Sequence, residues 1–135
     1  MVLNKPHPFG TFRIGHAYLV NGFIEEAEYY FNTGLEFHIE MLELDRQYGF
    51  GFFTFYNLAT MYAFLGDKNK TYENLRLFNQ KPRMPLFAVA NIKDDPLFDS
   101  IRDEPEFQQI VRDVEAKYQA EHERVRQWLE ENDML

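Results

Sequence analysis

The chain has 135 residues, the size of one ordinary domain, with 14 Phe and 8 Tyr to fill a core and no cysteine. The lack of cysteine excludes a disulfide scaffold and thiolate metal sites, so a reducing, cytoplasmic setting is expected. Net charge is -8, and residues 91–135 alone carry 13 acidic against 6 basic side chains, so no phosphate-binding basic patch and no nucleic-acid partner is expected.

The opening "MVLNKPHPFG" lacks the basic flank and apolar run of a secretion signal. A first helix is expected within "FRIGHAYLVNG", residues 12–22, ending at Gly22. A second, "EEAEYYFNTGLEFHIEMLELDRQY", is expected to run about seven turns, over residues 25–48. Ala27, Phe31, Gly34, His38 and Leu42 form one apolar stripe along it, and Tyr30, Phe37, Leu44 and Tyr48 another. Two stripes imply burial against neighbours on both sides. His38 lies in the first stripe and reads as a hydrogen-bonded core histidine, whereas Glu36, Glu40 and Glu43 read as a solvated face.

"YGFGFFTFYNLATMYAFLG", residues 48–66, is the most apolar stretch. A membrane span needs about 20 mostly apolar residues, and Tyr56, Asn57, Thr60 and Tyr62 interrupt this one. Phe52, Phe55, Ala59, Tyr62 and Gly66 recur at steps of three and four, so a helix from about Phe52 to Leu65 is expected, closed by Gly66. Displacing the chain by 44 residues lays Ile14-Gly15 on Leu58-Ala59, Tyr18 on Tyr62 and Gly22 on Gly66. Past the turn, Ala27 meets Thr71, Phe31 meets Leu75 and Gly34 meets Phe78.

After "NQKPRMP", the segment "PLFAVANIK" reads as a short helix. Asp95-Pro96 and Glu104-Pro105 each read as a helix start, with a carboxylate at the positive end and proline in the first turn. The second opens a long helix to about Glu131, with Phe107, Ile110, Val111, Val114 and Tyr118 on its apolar face. An Asp113–Lys117 pair is expected along it. The apolar face resumes at Val125, Trp128 and Leu129, which with Tyr118 make a candidate homodimer surface.

The large–small–aromatic order with a turn glycine, found twice, resembles the tetratricopeptide repeat. The resemblance implies an all-α, right-handed α-α superhelix of about two to two and a half repeats with a long C-terminal helix. The whole chain, 1–135, would be a single domain: repeat 1 about 9–48, repeat 2 about 52–81, and a degenerate third unit with capping helix about 84–135. The usual spacing is about 34 residues, so this chain would carry roughly ten more between its copies. The tail "DPLFDSIRDEPEFQ" resembles the closing segment of multidomain bacterial proteins of this kind, which implies the C-terminal part of a larger regulatory protein.

Catalytic constellations are not found. Ser100 is the single serine and has no G-x-S-x-G around it, and "GFGFFT" lacks the third glycine of a phosphate cradle. "HERVR" has Arg126 where a zinc peptidase needs its second histidine, and no Glu-x-x-His occurs for a di-iron site. No enzyme activity, metal or cofactor is expected. In the family the chain resembles, the first helices of each repeat line a concave groove that binds protein or peptide. Helical spacing gives its face here as Phe9, Phe12, His16, Leu19 and Val20, then Phe53, Tyr56, Asn57, Thr60 and Phe64, unless some of these aromatics are covered within the chain. Only Asn57 matches the paired Lys and Asn that grip chaperone tails, so an apolar or mixed ligand is preferred. The expected role is a scaffold or regulatory interaction module; the alternative is a small helical protein or enzyme holding an apolar ligand in the groove.

Overall fold

The computed structural model describes residues 10–44, 51–82, 84 and 86–135. These residues form helices with no strand among them: α1 (Thr11–Val20), α2 (Ile24–Glu43), α3 (Gly51–Phe64), α4 (Lys68–Asn79), α5 (Leu86–Ile92), a 3-10 turn at Pro96–Phe98, and α6 (Pro105–Glu131). The chain divides into two compact units, Met1–Phe78 and Asn79–Leu135.

In the first unit, small residues decide how closely the helices approach. α1 lies along α2, and a Cβ added to Gly15 would sit 3.0 Å from the Phe31 ring and 3.3 Å from the Ala27 carbonyl oxygen. The place where α1, α2 and α3 meet is Gly34, whose added Cβ would overlap the Thr11 hydroxyl and come within 3.0 Å of the Met61 sulfur. Ala27, Phe31, Gly34 and His38 of the expected stripe are buried, and Leu42 is half-buried. α2 ends at Glu43 with Leu44 as its C-cap, so the helix has 20 residues rather than the seven turns expected. Residues 45–48 lie outside the described ones.

α3 is apolar nearly all round, and such a helix is covered on every side. Tyr56, Leu58, Ala59, Thr60, Met61, Tyr62 and Ala63 are buried in unbroken succession but for the half-buried Asn57. Thr71, which the 44-residue register lays on Ala27, is fully buried, with its hydroxyl donating to the Asp67 carbonyl at 2.8 Å.

The turns after α1 and α3 are closed by the same bonds. Gly22 N–H donates to the Leu19 carbonyl and Phe23 N–H to Tyr18; 44 positions on, Gly66 N–H donates to Ala63 and Asp67 N–H to Tyr62, all within 3.0–3.2 Å. Both glycines have φ just above 80°. This is the paired 6→1 and 5→2 closure that leaves the glycine left-handed. The next helix then starts in the same register, with Ala27 N–H to Phe23 and Thr71 N–H to Asp67.

In the second unit, Phe98 and Phe107 meet at 5.3 Å between centroids, and Ile92, Ile101, Ile110 and Val114 are buried. Both acidic-proline starts are present. Asp95 caps the 3-10 turn by accepting from Leu97 N–H at 3.1 Å, and Pro105 opens α6 behind Glu104. The expected Asp113–Lys117 pair does not form. Lys117 donates instead to the backbone carbonyls of Asn79 and Lys81, while Asp113 accepts from Gln109 at 2.8 Å. Carbonyls past a helix end lack intrahelical donors and draw an ammonium group more strongly than a solvated carboxylate does.

Candidate functional site

α1 and α3 both lie against α2 and touch one another, which brings the two predicted groove faces into one unit. Of the first face, Val20 is exposed, and Phe12, His16 and Leu19 are half-buried. Phe9 lies outside the described residues. Of the second face, Phe53, Asn57 and Phe64 are half-buried. Tyr56 and Thr60 are not at the surface, with 3 % and 0 % exposure. Tyr56 meets Phe78 edge-on at 5.5 Å, and the Thr60 hydroxyl is used internally, donating to the Asn57 carbonyl at 2.7 Å. Phe64 stacks on Phe31 at 4.0 Å between centroids. The outward face of α3 is thus partly core, because the helix carries apolar residues on that side too.

A polar contact joins Asn57, of the expected groove face, to the buried His38. His38 is buried with Nδ1 2.7 Å from the Gly34 carbonyl and Nε2 3.4 Å from Asn57 Nδ2. A carbonyl can only accept, so the Nδ1 proton is donated there, which leaves Nε2 as the acceptor for the Asn57 amide. Burial pushes the histidine below its ordinary value of 6.5, against the Gly34 carbonyl, which favours the charged form. The core assignment of His38 thus matches its surroundings, and Asn57 of the expected groove face is held by it.

A cleft of about 400 Å³ opens elsewhere in this unit, lined by Arg13, Ile14, Ala17, Tyr18, Asn21 and Phe23. Ile14 and Tyr18 are the large and aromatic positions of the first copy, matched by Leu58 and Tyr62 in the second. In the structure Ile14 is 40 % exposed and Tyr18 half-buried, stacked on Tyr30 at 5.3 Å. Among the described residues, no helix precedes α1 to play the part that α2 plays for α3.

On α6, Tyr118 is half-buried 6.3 Å from the His122 ring, Val125 and Trp128 are exposed, and Leu129 is half-buried. Ion pairs Arg124–Glu121 at 3.0 Å and Arg126–Glu123 at 3.4 Å run along the same segment. Among the described residues, no group of three or more His, Asp or Glu side chains is placed to share a metal ion, and no helix is long and apolar enough to cross a membrane. No known protein family, curated protein or solved structure matches the chain.

Proposed function

We propose that this chain is a non-catalytic protein-interaction module: a right-handed solenoid of two to two and a half tetratricopeptide-like repeats with a long C-terminal helix. The observation that carries this reading is the turn register. The same glycine-closed bonds and the same start of the following helix occur twice, 44 residues apart. Stacked helix pairs of that kind leave their first helices side by side, and half-buried aromatics beside hydrogen-bonding groups suit a protein or peptide ligand. The groove consists of Phe12, His16, Leu19, Val20, Phe53, Asn57 and Phe64. The tail from Asp95 to Gln108 supports a place at the C-terminal end of a larger bacterial regulatory protein working in the cytoplasm.

The test pairs binding with stability. With the protein as bait, Phe53→Ala and His16→Ala should lose the partners that the parent chain captures, with melting temperatures lowered by only a few degrees. Unchanged capture by both variants would remove the groove from the proposal. The α6 stripe of Tyr118, Val125, Trp128 and Leu129 is the proposed homodimer surface. Sedimentation equilibrium giving a clean monomer at micromolar concentration would end that part.

A further inference from the structure

The turns after α1 and α3 share their backbone bonds but not their chemistry. In the 44-residue register the residue before the turn glycine is Asn21 in the first turn and Leu65 in the second. Asn21-Gly22 is the one Asn-Gly step in the chain, and both residues are exposed to water. Such a step carries its own electrophile and nucleophile: the Asn21 side-chain carbon Cγ is one ring closure from the Gly22 nitrogen, and glycine puts no side chain in the way of the attack. The folded turn holds the two apart. Asn21 is the C-cap of α1 with ψ of 4°, so the Gly22 nitrogen eclipses the backbone nitrogen of Asn21 and points away from Cβ, the side on which ring closure needs it. Asn21 Nδ2 donates to the Ala17 carbonyl at 2.7 Å, which ties the side chain back along the helix. Gly22 N–H donates to the Leu19 carbonyl and Phe23 N–H to the Tyr18 carbonyl, each at 3.0 Å. The Gly22 nitrogen therefore cannot swing toward Cγ or give up its proton until those bonds break.

We propose that Asn21 is a deamidation site gated by this turn: the closed turn protects the amide, the open turn lets it react, and the product closes less well than the parent. In the open turn the Gly22 nitrogen loses its proton to solvent and bonds to Asn21 Cγ. The Cγ–Nδ2 bond breaks, and Nδ2 leaves as ammonia with a proton taken from water. Water then adds to one of the two carbonyls of the cyclic imide and opens it, giving aspartate or isoaspartate. No oxidant, metal or cofactor enters. Either product replaces the amide donor to Ala17 with a carboxylate at the negative end of α1, where no basic residue occupies the last turn. Isoaspartate also lengthens the backbone by one carbon ahead of Gly22, which moves the glycine N–H off the Leu19 carbonyl. Leu65 offers no such chemistry, so the first turn alone is convertible in this way. The inference uses no residue of the proposed groove and is independent of that reading.

The test incubates the full chain in warm neutral buffer, folded or unfolded in urea, and follows the peptide holding Asn21 by mass spectrometry for exchange of the amide –NH2 for –OH. Conversion should be at least tenfold slower in the folded protein. Below the unfolding midpoint, added urea should raise the rate in step with hydrogen exchange at the Gly22 and Phe23 amides, because reaction then follows the open fraction of the turn. The Asn21→Asp protein, which carries one product from the start, should fold and melt a few degrees below the parent, with faster exchange at those same amides. Equal conversion rates in the folded and unfolded chains would overturn the gate, and an unfolded chain that keeps its Asn21 amide would overturn the site. An Asn21→Asp protein that melts and exchanges like the parent would overturn the claim that the product closes less well.

Discussion

Gly34 sits in mid-helix, where alanine would ordinarily be favoured by about 1 kcal/mol. Its surroundings reverse that preference. A methyl group there overlaps the hydroxyl of the buried Thr11, whose branched side chain has little freedom to turn away, and presses on Met61. Overpacking of this kind typically costs about 1–3 kcal/mol. Gly34→Ala should therefore destabilise the protein in urea unfolding by about 1–2 kcal/mol, and Thr11→Ala in the same chain should recover part of the loss. A stabilised Gly34→Ala protein would mean the helices are not that close. His38 gives a second prediction at this scale. Its folded value lies below the unfolded 6.5, so between the two the unfolded chain binds the extra proton. Stability is complete above about pH 6.5 and falls as the pH drops toward the folded value. Thermal melts from pH 7.5 to 5 should show that decline in the parent and a flatter one in His38→Gln.

At the scale of elements, the two glycine turns are where the sequence spoke most clearly. Gly22 and Gly66 have open space around them, so a side chain there meets no clash and the whole cost is the left-handed backbone. Gly22→Ala and Gly66→Ala should each cost about 1–2 kcal/mol, with Gly22→Asn milder because asparagine tolerates that conformation; equal losses for alanine and asparagine would point away from backbone strain. Asp67 adds a cap that the first turn lacks, accepting from Lys70 N–H at 3.1 Å, and Asp67→Ala should cost about 1 kcal/mol. These features were legible because a left-handed turn and a helix–helix approach each restrict residue type locally. The fit of Thr71, the choice of Lys117 for carbonyls over Asp113, and the end of α2 at Glu43 were not. Each depends on which backbone groups happen to be left without donors or acceptors nearby, and that is a property of the fold rather than of spacing.

At the scale of the molecule, amphipathic spacing named the first stripe of α2 and the apolar face of α6 well, overstated the second stripe of α2, where Tyr30 and Phe37 are half-buried and Leu44 is exposed, and failed on α3 and α1. On α3 the apolar residues surround the helix, so no spacing rule could say that Tyr56 and Thr60 would be covered while Phe53 stayed half-open. On α1 the spacing was sound, but Ile14 and Tyr18 need a neighbouring helix that the described residues do not provide. α6 shows a third case. Its buried residues end at Val114, and from Gln119 to Leu135 every residue is exposed except the half-buried Glu121 and Leu129. Those last residues of α6 add little burial, and changes at such positions usually stay within about 0.5 kcal/mol. A chain ending at Tyr118 should therefore melt within a few degrees of the full protein when both are dilute, with ellipticity at 222 nm as the readout. If Val125, Trp128 and Leu129 hold two copies together, the full chain should melt higher as concentration rises, because association stabilises the folded state by mass action. The shortened chain should lose that dependence. Equal, concentration-independent melting of both chains would leave the α6 stripe without an association role, and a shortened chain that fails to fold would show that the distal half is needed within a single copy.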